Sequence, residues 1–272
     1  MFKINNLTYQ YEKEKLALLN INMDFSKGDI VGVIGTNGSG KSTLFMNMMG
    51  ILKPSVGNII FNNEPIKYNK RSLYELRKEV GIVFQDPEKQ IFYSMVYDDI
   101  AFALRNIGIE ENIVKERILN ALEAVNGLDF IDRPVHFLSY GQKKRVAIAS
   151  VIAMENKIVL LDEPTAGLDP VSTRAIVEII NNLKGKGVKI VISSHDMNLI
   201  YEICDYIYVL DQGEIINEGS TDVVFNDEEK ILKAGLELPW LVKLHRNLGL
   251  PLFKTEDDLY DFWHNSKNIV NR

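Results

Sequence analysis

The alternation of apolar and polar positions near the start of the chain predicts an antiparallel β element. Residues 2–9 and 21–25 alternate, and a charged turn at 12–15 separates them. The run at 29–34 is almost continuously apolar, which is typical of a strand buried on both faces of a parallel sheet. A glycine-rich turn follows this run at once, and a helical pattern covers 42–49. The sequence therefore predicts a strand, a glycine-rich turn and a helix in direct succession.

The rest of the chain predicts an α/β fold with a mostly parallel sheet. A second extended pair at 57–61 and 80–84 flanks a short helix at 73–78, and 3.6-residue periodicity over 96–127 predicts two amphipathic helices. These two helices belong to a helical insert at about 90–150. Strands are predicted at 158–161, 189–193 and 206–210, and helices start near Gln142, Ser172 and Met197. Alternating strands and helices predict parallel βαβ crossovers.

The pattern of residues changes beyond residue 225, where we predict a small helical extension at 226–272. A charged run occupies 226–230, and the segment 255–258 resembles the N-terminus of a helix. Residues 1–225 would then form one nucleotide-binding domain, for the reasons that follow.

Composition and charge narrow the class of partner. The 272 residues carry 31 basic and 37 acidic side chains, a net charge of −6, which argues against an extensive nucleic-acid-binding surface. The single Cys204 excludes an intramolecular disulfide and is predicted to be a small buried hydrophobe. Apolar stretches fall well short of the ~18 residues of a membrane span. If the protein works at a membrane, another chain must hold it there.

The glycine-rich turn matches the G-x-x-x-x-G-K-[ST] pattern of a phosphate-binding loop in the strand-to-helix context that the pattern requires. Glycines let successive N–H groups turn inward, and the helix N-terminus adds its positive end. Lys41 would neutralise β- and γ-phosphate oxygens, and Ser42 would ligate Mg²⁺. The predicted nucleotide-binding residues here are Gly35, Thr36, Asn37, Gly38, Ser39, Gly40, Lys41, Ser42 and Thr43.

Two carboxylates follow the apolar strand at 158–161. The strand delivers Asp162 to the carboxyl edge of the sheet beside the phosphate loop, where it can hold Mg²⁺. Glu163 is then placed to orient or deprotonate an attacking water. Nucleotide hydrolysis is the leading hypothesis from these two segments.

Four further segments complete an ordered set of motifs. They are Gln85 at the end of 83–85, Leu138-Ser139-Tyr140-Gly141-Gln142, the run at 166–169 ending in Asp169, and His195 within 193–196. With this set the chain resembles an ATP-binding subunit of the ABC family over residues 1–225. The second segment resembles the family's signature motif. Ser139 is a natural N-cap for the helix that starts near Gln142.

The resemblance implies a role for each motif. The signature of one subunit closes over the ATP held by the phosphate loop of another, in a head-to-tail pair with Asp169 along the seam. Gln85 would touch Mg²⁺ or the lytic water, and His195 would donate a hydrogen bond to the γ-phosphate. The implied Mg²⁺ ligands are Ser42, Gln85 and Asp162, and the implied catalytic residues are Glu163, His195 and Gln85.

Two aromatic positions leave alternatives open. Tyr140 stands where the family most often has glycine, so its side chain either points away from the γ-phosphate or crowds the backbone. We favour the first because Gly141 is retained. The family places an aromatic residue against adenine, and Tyr11 is the best match, with Tyr9 the alternative. His136, His245 and His264 lack metal-ligand spacing and receive no role.

Within the family, segments 85–90, 96–102 and 138–149 most resemble the cobalt/nickel and vitamin importers of the energy-coupling-factor branch. This resemblance implies ATP and Mg²⁺ as cofactors, a separate integral membrane subunit and a place at the cytoplasmic face of the cell membrane. It also implies a homodimer or a heterodimer with a related ATPase subunit, and no nucleic acid. The aromatic-rich stretch at 84–102 would receive the membrane partner, although half of it is expected to belong to the insert's own core.

Two further points stay open at this level. The extension would fit a dimer contact, yet Trp240, Leu241 and Leu244 at helical spacing could equally pack onto the chain's own core. The alternative function is a soluble ABC ATPase of DNA repair or translation. Repair members split the core with a long coiled coil and translation factors usually carry two cores, and this chain has neither pattern. The transported substrate cannot be read from these residues.

Overall fold

The computed structural model describes residues 1–11 and 16–270, with side chains described through residue 265. The predicted charged turn at 12–15 lies outside the described residues. The strands are β1 Phe2–Gln10, β2 Leu16–Asp24, β3 Ile30–Ile34, β4 Val56–Phe61, β5 Glu64–Pro65, β6 Val80–Val83, β7 Ile158–Asp162, β8 Lys189–Ser194, β9 Tyr206–Asp211 and β10 Glu214–Ser220. The four-stranded antiparallel sheet has the order β2-β1-β4-β5, which confirms the predicted N-terminal β element.

The six-stranded sheet places the predicted motifs at one edge. Its order is β10-β9-β3-β8-β7-β6, and all neighbouring pairs are parallel except β10 with β9. Ile34 at the end of β3 pairs with Ser194 of β8, and Asp162 at the end of β7 pairs with Ser193. The phosphate loop, the carboxylates and the segment of His195 therefore leave the sheet side by side.

The helices confirm the predicted order of elements, with small shifts at their ends. They are α1 Lys41–Met48, α2 Lys70–Glu79, α3 Val96–Asn106, α4 Glu111–Ala124, α5 Tyr140–Ala153, α6 Pro170–Gly185, α7 Met197–Ile203, α8 Thr221–Asn226, α9 Glu228–Lys233, α10 Trp240–Leu248 and α11 Glu256–Val270. Helices α3, α4 and α5 pack on one another as the helical insert. Among the described residues, no helix is long and apolar enough to cross a membrane.

Two apolar clusters hold these layers together. One lies between the two sheets and includes Leu44, Phe45 and Met48 of α1, all fully buried. The other joins the parallel sheet to the insert and to the C-terminal extension. Because α1 is anchored in the first cluster, the phosphate loop that precedes it is fixed at its carboxyl end.

The C-terminal extension packs on the chain's own core. Leu241 is buried, and Trp240 and Leu244 pack against the cluster of the parallel sheet. The helix start predicted at 255–258 is confirmed by reciprocal capping bonds: Thr255 N–H donates to Asp258 Oδ2 at 2.9 Å, and Asp258 N–H donates to Thr255 Oγ1 at 3.2 Å. The domain boundary at 225 stays a prediction. Cys204 is buried, as predicted.

Candidate functional site

The phosphate loop has the backbone geometry of an anion cradle. Gly38 and Gly40 have φ of +83° and +114°, in the left-handed region that favours glycine. A Cβ at Gly40 would stand 2.7 Å from the carbonyl oxygen of Ala17, whereas the space around Gly38 is open within 4 Å. The Ser39 hydroxyl is buried there without a hydrogen-bond partner in the described structure. An unsatisfied buried hydroxyl beside open space fits a loop built to accept phosphate oxygens.

Lys41 is held inside this loop. Its Nζ donates to the carbonyl oxygens of Gly35 at 2.7 Å and Thr36 at 3.2 Å. It also lies 3.4 Å from Glu163 Oε1, and both side chains are only 6% exposed. The ammonium group is therefore kept at the loop by two carbonyls and one buried carboxylate.

A shared serine aligns the two carboxylates at the end of β7. Ser193 Oγ donates to Asp162 Oδ1 at 2.6 Å and accepts from the Glu163 N–H at 3.0 Å. Glu163 has a φ of +47°, an uncommon conformation for a residue with a side chain, which costs about 1–3 kcal/mol. We attribute this strain to the turn that points Glu163 at the phosphate loop while Asp162 stays on the sheet.

His195 contacts the second oxygen of the same carboxylate. Its Nδ1 lies 2.7 Å from Glu163 Oε2, and its ring is largely exposed. Glu163 thus joins Lys41 on one side to His195 on the other. The structure brings together three residues that are far apart in the sequence, beside the phosphate loop.

The segment of Gln85 is fixed by its main chain. The Gln85 carbonyl oxygen accepts hydrogen bonds from Tyr140 Oη at 3.1 Å and from Lys144 Nζ, while the residue itself is exposed. Nearby, Gln90 Oε1 accepts from the Phe84 N–H at 3.0 Å. The main chain at Phe84 and Gln85 is therefore held by the side chains of Gln90, Tyr140 and Lys144.

The signature segment begins α5 with the predicted cap. Ser139 Oγ accepts from the Gln142 N–H at 3.3 Å, and Gln142 Oε1 accepts from the Ser139 N–H at 2.9 Å, a complete capping box. Leu138 is buried, whereas Ser139 and Tyr140 are exposed. The Tyr140 hydroxyl bonds within its own chain, to Gln85. That the ring points away from a γ-phosphate stays a prediction.

Asp169 caps the next helix beside the signature. Its carboxylate accepts from the Val171 and Ser172 N–H groups at 2.9 and 3.0 Å and from Ser172 Oγ at 2.6 Å. The Ser172 hydroxyl is the main reason why the pKa of Asp169 lies below its ordinary value. A Cβ at Gly141 would stand 3.0 Å from Ser172 Oγ, so the segment of Asp169 and the signature adjoin.

Tyr11 lies at the other side of the phosphate loop. Its Oη is 3.1 Å from Thr43 Oγ1, and its ring meets that of Tyr9 edge to face at 5.0 Å. With 43% of the residue exposed, it presents a ring to solvent close to the helix that follows the loop. The assignment of Tyr11 to adenine stays a prediction.

Sequence reasoning missed Lys144. This residue of α5 is completely buried, and burial lowers the pKa of its ammonium group to about 8. A signal was available: Lys144 shares a helix face with Ala147, Ile148 and Val151, all of them buried. A lysine at an apolar position of a helical period is rare without a partner.

The predicted magnesium ligands suit Mg²⁺ when phosphate oxygens of a bound nucleotide supply the remaining ligands. No group of three or more His, Cys, Asp or Glu residues that could hold a metal occurs in the described part of the chain. Ser42, Gln85 and Asp162 offer a hydroxyl, an amide and a carboxylate, the hard oxygen donors that Mg²⁺ accepts when nucleotide phosphates complete its shell. The residues present therefore fit a nucleotide-bound Mg²⁺.

Comparisons with known proteins agree with this geometry. The model of the ABC transporter family matches residues 18–166. The cobalt import ATP-binding protein CbiO of Salmonella typhimurium is 47% identical over 260 residues, covering 96% of each chain. The energy-coupling factor transporter ATP-binding protein EcfA of Methanocaldococcus jannaschii is 45% identical over 271 residues, covering 98% of this chain and 95% of that protein.

A solved structure shows the same architecture. CbiO1 from Clostridium perfringens, described as part of the ABC transporter complex CbiONQ, superposes with a TM-score of 0.77 at 42% identity. The match covers 90% of this chain and 98% of that one. The similarity therefore extends over most of the chain.

Proposed function

The chain belongs to the ABC transporter family, in the branch of cobalt-import and energy-coupling-factor ATP-binding proteins, and we propose that it powers import of cobalt or nickel ions through a separate membrane partner. It is an ATPase subunit. The observation that supports ATP hydrolysis as its activity is the contact of Glu163 with both Lys41 and His195 beside the phosphate loop. The relatives' cobalt import supports the choice of ion.

Each residue of the site then has a chemical task. The N–H groups of the phosphate loop and Lys41 hold the β- and γ-phosphates, and Ser42, Gln85 and Asp162 would hold Mg²⁺, which supplies charge neutralisation to the transferring phosphoryl group. Glu163 orients the attacking water and accepts its proton. His195, whose Nδ1 faces Glu163 in the nucleotide-free structure, would donate a ring N–H to the γ-phosphate as charge builds there.

The active form is proposed to be a head-to-tail dimer, either of two copies or with a related subunit. Ser139 and Tyr140 are exposed at the start of α5, and Asp169 is exposed beside them. The free N–H groups at the start of α5 make a second anion site, apart from the chain's own phosphate loop. In the dimer, this second anion site would face the ATP bound by the partner subunit. The exposed signature segment would then be buried at the interface. The pair would sit at the cytoplasmic face of the cell membrane.

The membrane subunit is proposed to dock beside the segment of Gln85. Phe92 is 79% exposed, and the Tyr93 ring packs on that of Phe102 with centroids 5.3 Å apart, both residues being more than 40% exposed. Exposed aromatic side chains on a scaffold of this kind are what a protein interface uses as anchors. We therefore expect the partner's contact to be centred on Phe92.

Phe92→Ser is expected to remove the membrane partner from the purified complex. Truncating a central aromatic anchor costs about 2 kcal/mol or more, roughly a thirtyfold loss in affinity. The measurement is the yield of membrane subunit that co-purifies with a tagged chain in mild detergent. Val56→Ser, at another exposed apolar position on β4, serves as the control. Unchanged co-purification of Phe92→Ser would contradict this docking surface.

Tyr11→Ala is expected to weaken ATP binding about fivefold, the effect of losing about 1 kcal/mol of aromatic stacking. Tyr11→Phe keeps the ring and loses only the contact with Thr43, so its affinity should stay within about twofold of the parent. Binding of a fluorescent ATP analogue measures both, with Tyr74→Ala as a control at another exposed tyrosine. If Tyr9→Ala weakens binding and Tyr11→Ala does not, adenine lies on Tyr9 instead.

The whole proposal is tested by co-purification from native membranes with a tagged chain, followed by uptake of radioactive cobalt and nickel into vesicles that contain the recovered complex. We expect an integral membrane partner and ATP-dependent uptake of one of these ions. Recovery of ribosomes, DNA or only the soluble dimer would shift the function to a soluble ABC ATPase. The ATP chemistry of the site would be unaffected by that outcome.

A further inference from the structure

Lys144 is a buried cation whose partners are main-chain carbonyls. Its Nζ donates to the Gln85 oxygen, and the oxygens of Glu163 and Phe84 lie 3.4 and 3.5 Å away. In the described part of the chain, no carboxylate comes within ion-pair distance of this ammonium group. Burial of a charge without a paired carboxylate is costly, so the position is a poor choice for packing alone.

The carbonyls belong to the two segments that act on the chain's own nucleotide. Gln85 is a predicted Mg²⁺ ligand, and Glu163 is the predicted general base. Lys144 touches the peptide groups of these residues, not their side chains. It is therefore positioned to fix where both residues stand without taking part in the chemistry.

The helix that carries Lys144 also carries the signature. Tyr140, one turn earlier on α5, donates to the same Gln85 oxygen at 3.1 Å. Gln90 adds a third link, because its Nε2 donates to the Ala147 oxygen of α5 at 3.1 Å. The side chains of Lys144, Tyr140 and Gln90 thus join the segment of Gln85 to α5, in addition to the ion pair of Lys143 with Glu88.

We propose that Lys144 is a positioning residue that couples a subunit's own nucleotide site to the signature that it presents to its partner. The inference rests on the proposed head-to-tail dimer. A shift of Gln85 on nucleotide binding would be passed to α5, and with it to Ser139, because the Gln85 carbonyl oxygen accepts a hydrogen bond from Lys144. A subunit that has bound its own ATP then offers a correctly placed signature to the other site.

The test is Lys144→Met, which keeps the length and apolar stem of the side chain and removes the charge and the donors. We expect ATP affinity within about twofold of the parent, because the phosphate loop is untouched. Turnover should fall about tenfold or more, and the ATP concentration that drives dimerisation in a Glu163→Gln background should rise by a similar factor. ATP affinity, turnover and dimerisation are all measured on the complex as it purifies.

Lys143→Met is the matched control. Lys143 lies one position earlier on α5 and pairs with Glu88, so it joins the same two segments at the surface. The Glu88 carboxylate of this pair is 63% exposed, so solvent screens the interaction, and we expect ATP affinity, turnover and dimerisation within about twofold of the parent. Lys144→Gln, which keeps N–H donors on a shorter arm, should recover part of the loss and replaces Lys144→Met if that variant does not fold.

A purely structural role would give a different pattern. Lys144→Met and Lys144→Gln would then lower the melting temperature and ATP affinity together, or leave turnover and dimerisation unchanged, and either result overturns the coupling. Failure of the proposed head-to-tail dimer is recognised separately, because Glu163→Gln alone would then show no ATP-driven dimerisation, whereas failure of metal-ion import would show only in the co-purification and uptake measurements. Both are therefore distinguishable from failure of the coupling.

Discussion

Glu163→Gln is expected to abolish ATP turnover while the protein still binds ATP and dimerises. The amide has nearly the same shape as the carboxylate that now lies 3.4 Å from Lys41, but it cannot take a proton from water. Loss of a positioned general base costs about 10²- to 10⁴-fold in rate. Removing a negative charge beside the phosphates should leave ATP affinity equal or higher. Steady-state phosphate release and size-exclusion chromatography with ATP measure the two effects.

Glu214→Gln is the control for this change, since Glu214 is exposed at the start of β10. It should hydrolyse ATP at the parent rate and show no ATP-trapped dimer. Turnover of Glu163→Gln at the parent rate would remove Glu163 from the mechanism. Loss of ATP binding in the same variant would mean that the carboxylate organises the loop rather than the water.

The sequence could predict the parts of the site that depend on local pattern. The strand, glycine-rich turn and helix around Lys41 follow from residue types at fixed spacing, and the structure confirms them. Asp162 and His195 could be placed together because parallel strands deliver their carboxyl ends to one edge of a sheet. The cap at Ser139 follows from a serine with a glutamine three residues later.

The parts that could not be predicted depend on contacts between distant segments. The left-handed backbone at Glu163 is imposed by Ser193 and by the loop that follows β7, and no residue-type rule places a glutamate there. The link from Tyr140 to Gln85 spans 55 positions and involves a main-chain oxygen, which carries no sequence signal. The helix face of Lys144 indicates its burial, but its partners are main-chain oxygens of distant segments, which the sequence does not identify.

Lys41→Met is expected to cost about a hundredfold in ATP affinity. Lys41 is the charged donor buried in the phosphate loop, and charge-assisted hydrogen bonds to phosphate contribute about 3 kcal/mol when they are withdrawn from water. Titration of a fluorescent ATP analogue measures the loss. Lys67→Met, at an exposed position, is the control and should bind as the parent does. An affinity within about threefold of the parent would show that the loop's N–H groups suffice without the lysine.

Lys41→Met is also expected to destabilise the nucleotide-free protein. A double variant separates this loss of stability from the loss of ATP affinity. Among the described residues, Lys41→Met leaves the buried Glu163 carboxylate with His195 as its one close side-chain partner, so the free energy of unfolding should fall by about 2 kcal/mol. In Lys41→Met/Glu163→Gln the neutral amide needs no counter-charge, and most of this stability should return. ATP affinity should stay low, because the phosphates still lack their cation. If the double variant unfolds as easily as Lys41→Met alone, the ion pair does not stabilise the nucleotide-free loop.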